Sequence, residues 1–215
     1  MEPMAARLGK DGNRQALAHF VTSSPWDAAH VRARLAWRME PVIKPTVLVI
    51  DDTGFLKDGD ASVCVSRQYT GTAGEVTNCQ AGGSFHLTCN GASVAVNWRL
   101  FLPGSWDLSS PKADPAKAAR RDKCAIPAQV GHVEKWQLTL DMIDETRSWG
   151  IDVPQVIADG GYGDTAAFRL GLETRGLDYV VGISTTTTAR PEDARPSTPT
   201  YLGRGWRPTP SRHSG

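Results

Sequence analysis

Three short apolar runs, each rich in β-branched residues and each ending at a turn, constrain this chain more than anything else in it. They are TVLVI at 46–50 ahead of Asp51 and Asp52, VIA at 156–158 ahead of Asp159, and YVVGI at 179–183. A run without apolar–polar alternation has the pattern of a strand buried on both faces, so the expectation is a central strand with helices on either side. Helical periodicity fills the gaps between the runs. Residues 133–149 place Trp136, Leu140 and Ile143 on one stripe and end at Gly150, while 165–175 end at Gly176, both glycines suiting a helix C-terminus.

Between the first two runs the sequence reads as a meander. Residues 62–69, 76–88 and 92–102 are strand-like, and Asn90-Gly91 separates the last two, a strong short-range hairpin signal. Ahead of everything lies a helical region. Residues 14–21 carry apolar positions at helical spacing, and SSPWD at 23–27 predicts a helix from Ser24 as N-cap, with Pro25 first and Asp27 serving first-turn amides, to about Arg38. The resulting order, strand, meander, helix, strand, helix, strand, is a mixed sheet with flanking helices of the α/β class.

The remaining stretches read as loop and tail. Residues 105–130 are rich in Pro, Ala, Lys and Asp, with Lys112, Lys117, Arg120, Arg121 and Lys123 against Asp114 and Asp122, and are expected to be exposed. Beyond Ile183 comes a threonine run and then a Pro- and Arg-rich segment with few apolar residues, the composition of a disordered tail. The expected organisation is a helical region over 1–44, a core over 45–184 and a tail over 185–215.

Composition narrows the function classes. With 24 basic and 23 acidic residues among 215 the net charge is +1, so any basic surface must be local. The four cysteines form no C-x-x-C pair and the five histidines show no metal-ligand spacing against them, which argues against zinc. No leader pattern and no apolar run of about 20 residues is present, so a cytoplasmic location is expected.

The chemistry points to carboxylates. Asp51/Asp52 and Asp159 each stand at the end of an apolar run, and if those strands are neighbours their acids converge as a hard divalent cation requires. Such a pair supports phosphoryl transfer with metal ions on the attacking and leaving oxygens. Only one of Asp51 and Asp52 can face a shared site, since successive strand residues point to opposite faces. The alternative is plain turn chemistry, with Asp159 capping the following helix. Glu173, Asp164, Glu192 and Asp193 are poor candidates for a third acid. GYGDTA at 161–166 has the outline of a dinucleotide fingerprint, but acids flank it and the next strand lacks one for a ribose. Thr53 stands two after Asp51, where an aspartyl-phosphate enzyme would carry an acid. Large aromatics are core or interface by default, but Trp98 with Arg99, and Trp106 near the basic loop, also suit stacking on and gripping a nucleic-acid backbone.

Several blocks together resemble the DDE superfamily endonucleases of bacterial insertion sequences: VIDDTGFLK at 49–57, SRQYTGT at 66–72, NCQ at 78–80, NWRLFLP at 97–103, KWQL at 135–138, ADGGYGD at 158–164 and YVVG at 179–182. EPMAAR at 2–7 and SPW at 24–26 extend the likeness toward the N-terminus. The resemblance implies a ribonuclease H-like catalytic core in which Asp52 and Asp159 are similar to the first two acids of the triad and bind magnesium or manganese. It implies transposase activity by DNA cleavage and strand transfer, with homodimers acting on paired element ends. Arg67, Trp98, Arg99, Lys112, Lys117, Arg120, Arg121 and Lys123 are the expected DNA contacts. The family's third acid, a glutamate on a helix after the last strand, has no counterpart here, so a truncated copy is expected. The competing expectations are a catalytically inactive remnant that binds DNA or another transposase, and a phosphotransfer enzyme acting on small nucleotides.

Overall fold

In a computed structural model, which describes residues 2–9 and 12–188, the first apolar run opens β1 (Val47–Leu56), the strand around which the sheet is built. On one side β1 pairs antiparallel with β3 (Glu75–Cys89) in unbroken register from Val47↔Thr88 to Leu56↔Cys79. On its other side it pairs parallel with β5 (Gln155–Ala158), which in turn carries β6 (Asp178–Val181). The far edge of β3 takes β2 (Ser66–Thr70) along its start and β4 (Ala92–Leu100) along its end. Asn90-Gly91 makes the β3–β4 turn as expected, and a register shift between Phe85 and His86 accommodates an extra residue in β4. This is the mixed α/β sheet of a ribonuclease H-like core.

Three of the helices gather on one face. Ala36 and Ile43 of α3 (Ala28–Ile43), Leu140, Met142 and Ile143 of α5 (Lys135–Ser148), and Phe168 and Leu172 of α7 (Ala166–Thr174) pack into a single core with Leu48, Ile50, Phe85, Leu87, Val156 and Ala158. The expectation that the first run is buried on both faces is corrected. Leu48 and Ile50 are buried, but Val49 is only half-buried, and its neighbours across the sheet, Ile157 and Val180, are 42% and 71% exposed. Among the described residues no helix covers that side. A β-branched residue suits a strand on either face, so an unbroken apolar run does not by itself prove double burial.

The N-terminal helices differ from expectation at their ends. Ser24 closes α2 (Arg14–Ser23), which follows the short α1 (Glu2–Arg7), and the N-cap of α3 is Asp27, whose side chain accepts from the Ala29 amide at 2.8 Å. Asp outcompetes the Ser-Pro start because its oxygen reaches the second helical N–H directly. The helix also passes Arg38 and tolerates Pro41, ending at Lys44 in the left-handed region with φ 50°.

Residues 105–130 are not a simple exposed loop. Trp106, in a 3-10 turn at Gly104–Trp106, is fully buried with Cys64 and Leu102 in a second small core, and its indole N–H donates to the Val65 carbonyl at 2.7 Å. Asp114 caps α4 (Pro115–Ala118). Arg121 is buried and donates to the carbonyls of Trp106, Pro127 and Val130 at 2.9, 3.1 and 2.5 Å. Buried backbone carbonyls need donors, and a single guanidinium supplies several. The chain divides into a unit over 1–184 and another over 185–215. Of the expected disordered tail, 189–215 lies outside the described residues.

Candidate active site

The parallel strands β1 and β5 end their pairing at Ile50↔Ala158, so Asp52 and Asp159 emerge where the two strands part. Strand alternation places Asp52 on the helix-covered side with Leu48 and Ile50, while Asp51 is exposed and its carboxylate accepts the Asp52 amide at 2.8 Å. Asp159 caps the single turn α6 (Gly160–Gly163), accepting from the Gly161 amide at 3.0 Å. Both acids line one cleft of about 580 Å³, whose opposite wall is built from Gln68 and Thr70 of β2.

Glycines make this junction possible. A Cβ on Gly163 would lie 1.9 Å from the Gly182 carbonyl oxygen, and one on Gly182 would lie 2.8 Å from the Gly160 nitrogen, so the turn after Asp159 can press against the end of β6 only without side chains. That packing swings Tyr162 inward. A Cβ on Gly54 would similarly collide with Thr70 Oγ1 at 1.8 Å, and its absence lets the cleft wall close on β1.

Two side chains from distant elements hold Asp52. The Tyr162 hydroxyl donates to Oδ1 at 2.5 Å and the Lys135 ammonium donates to Oδ2 at 2.7 Å. Burial, then the Asp52 charge and the hydrogen bond to it, push the Tyr162 hydroxyl far above the ordinary tyrosine range, so it remains a donor at every physiological pH. Lys135 in turn lies 5.3 Å from the centre of the Phe101 ring, which meets His132 edge-on. Lys135 and Tyr162 lie within the family-like blocks KWQL and ADGGYGD, and nothing in those blocks gives either a role in the site. A readable signal existed for Lys135: it opens α5, where the helix dipole disfavours a cation.

The donor set suits a hard cation in kind. Asp52 and Asp159 offer carboxylate oxygens to one cleft, Asp159 Oδ2 has no hydrogen bond among the described residues, and each Asp52 oxygen keeps a second lone pair. Among the described residues no group of three or more His, Cys, Asp or Glu is placed to hold a metal, so these two acids are what the described residues offer here.

The expected DNA contacts do not form one surface. Trp98 is 43% exposed on the uncovered sheet face, whereas Arg99, one residue on, turns to the helix side and pairs with Glu145. The pairing of Trp98 with Arg99 as a joint grip is therefore corrected by strand alternation. Arg121 is withdrawn too, its guanidinium being spent on buried carbonyls. Arg67, Lys112 and Lys123 are exposed, Lys117 is half-buried, and Arg120 approaches Asp60 at 3.8 Å.

A family model described as DDE superfamily endonuclease matches residues 1–214, and the chain belongs to that family. Metal-dependent nuclease chemistry on DNA is the family's general character, as its name and fold indicate. One curated relative, a probable transposase for insertion sequence element IS701 from Microchaete diplosiphon, is 28% identical over 184 residues, covering 84% of this chain and 43% of the relative. The chain thus spans less than half the length of that protein. No solved structure matches. No helix among the described residues is long and apolar enough to cross a membrane.

Proposed function

We propose that this chain is the catalytic part of an insertion-sequence transposase, cutting a DNA phosphodiester and joining the freed 3′-hydroxyl to a second strand. The observation that carries the reading is the meeting of Asp52 and Asp159 in one cleft at the end of two adjacent parallel strands. Asp52 and Asp159 would hold magnesium or manganese, which supplies Lewis-acid activation of water and of the phosphate. The protein's own part is orientation. Tyr162 fixes the rotamer of Asp52 from one side, and the α6 cap fixes Asp159 from the other, so neither carboxylate needs to reorganise when charge develops. Exposed Arg67, Lys112 and Lys123, with Lys117, are left to approach the DNA backbone outside the cleft. Homodimers on paired ends, working in the cytoplasm, belong to the same proposal.

Manganese titration by calorimetry, run beside nicking of supercoiled DNA, tests it. Asp52→Asn and Asp159→Asn are each expected to weaken manganese binding and abolish nicking while leaving DNA retention in a gel shift. Unchanged metal binding in both variants overturns the site. A folded wild type that retains DNA but binds no metal would leave only the inactive DNA-binding remnant.

A further inference from the structure

We propose that Lys135 is a DNA-contacting cation of the cleft, paired with Asp52 in the unliganded protein and transferred to a non-bridging phosphate oxygen when a strand enters and the Asp52 charge is otherwise neutralised. The proposal rests on the reading of Asp52 as a metal ligand. Its first support is charge inventory. Among the described residues that line the cleft, Asp52 and Asp159 bring carboxylates to it and Lys135 is the one cation. A phosphodiester entering this cleft meets repulsion at every charged wall residue but one.

The second support is placement against local preference. Lys135 is the first residue of α5, where its charge opposes the helix dipole. It does not point along its own helix. It reaches Asp52, 83 positions earlier, at 2.7 Å and remains only 34% exposed. A local rule broken in favour of one long-range contact marks a functional position.

The third support is the type of side chain. A lysine presents three donors on a flexible stem, and among the described residues only the hydrogen bond to Asp52 engages them. The Phe101 ring, 5.3 Å from Nζ, steadies the charge without consuming a donor. The ammonium therefore has capacity for a phosphate oxygen.

The test is a double-mutant cycle read in EDTA, so that it does not depend on metal binding. Affinity for a short duplex oligonucleotide is measured against salt for wild type, Asp52→Asn, Lys135→Gln and the double variant. Asp52→Asn frees Lys135 and is expected to tighten DNA binding several-fold, and Lys135→Gln is expected to remove most of that gain and lower the salt slope by about one. Lys135→Arg should restore the slope, and Lys135→Met, which keeps the stem on Phe101, replaces the glutamine if that variant does not fold. Equal gains from Asp52→Asn with and without Lys135, at an unchanged slope, overturn the proposal. Manganese calorimetry separates the two readings: a wild type that binds no manganese but shows the EDTA coupling sinks the metal site and leaves the phosphate contact standing.

Discussion

The two faces of the sheet take the same strands and treat them differently. On the helix-covered face Leu48, Ile50 and Asp52 of β1 run from core into cleft; on the other, Val49, Asp51, Thr53 and Phe55 alternate with them and stay at least partly in solvent. One residue of register separates an acid tethered by Tyr162 and Lys135 from an acid whose carboxylate accepts from its neighbour's amide. The difference shows that chemical identity at a strand end means little until the face is known, because neighbouring aspartates have the same sequence context and unlike surroundings.

The largest contrast between the faces should be in stability. Phe85, fully buried beneath the helices, is expected to cost about 3–5 kcal/mol on truncation to Ala. Val180, 71% exposed on the opposite face, should cost within about 0.5 kcal/mol. Urea unfolding of the two variants checks this, and equal losses would mean that the second face is covered in solution. The next contrast is catalytic. Asp52→Asn should lower DNA nicking by about a thousandfold, the loss of several kcal/mol of metal-derived stabilisation, whereas Asp51→Asn should leave nicking within a fewfold of wild type. A smaller effect sharpens the role of the tether. Tyr162→Phe removes the donor to Asp52 Oδ1 without changing shape, and should weaken manganese affinity by about 10–100-fold, as loss of an orienting partner does, while the melting temperature moves little.

Much of the architecture was readable before any coordinates. Apolar runs, Asn90-Gly91 and the helix stops at Gly150 and Gly176 located the strands and helices in order, because these signals are local and each rests on backbone geometry. For Asp52 and Asp159 the sequence set only a condition, that their strands be neighbours, and β1 and β5 meet it. What was not readable depends on contacts distant in sequence. Nothing near Arg121 says that its guanidinium will be enclosed by the carbonyls of Trp106, Pro127 and Val130, since a basic residue in a Pro- and Ala-rich segment has the same composition whether solvated or buried. Nor does the neighbourhood of Lys135 name Asp52 as its partner. The family blocks carried both residues, but a block match reports similarity and not the direction of a side chain.

The smallest expected effect concerns a carboxylate elsewhere on the helix-covered face. There Glu145 of α5 accepts from Arg32 and Asn97 at 2.9 Å each and pairs with Arg99, so that α3, α5 and β4 meet at one carboxylate. Burial alone would raise its pKa, but the hydrogen bonds from Asn97, Arg99 and Arg32 outweigh it and hold the carboxyl below the ordinary glutamate range. A carboxyl with a lower pKa in the folded state binds fewer protons there than in the unfolded chain, so stability falls as pH falls. The contribution is fully present above the ordinary glutamate value and is lost as pH drops through and below it. Glu145→Gln, which keeps shape but not charge, should therefore flatten the acid limb of a melting-temperature profile taken from neutral pH downward, with less effect at high salt because the carboxylate is partly exposed. A profile that falls as steeply in the variant would place the acid sensitivity in another carboxylate, Asp107 first among them, whose pKa is held at about 2 by the backbone amides of His132 and Ser109.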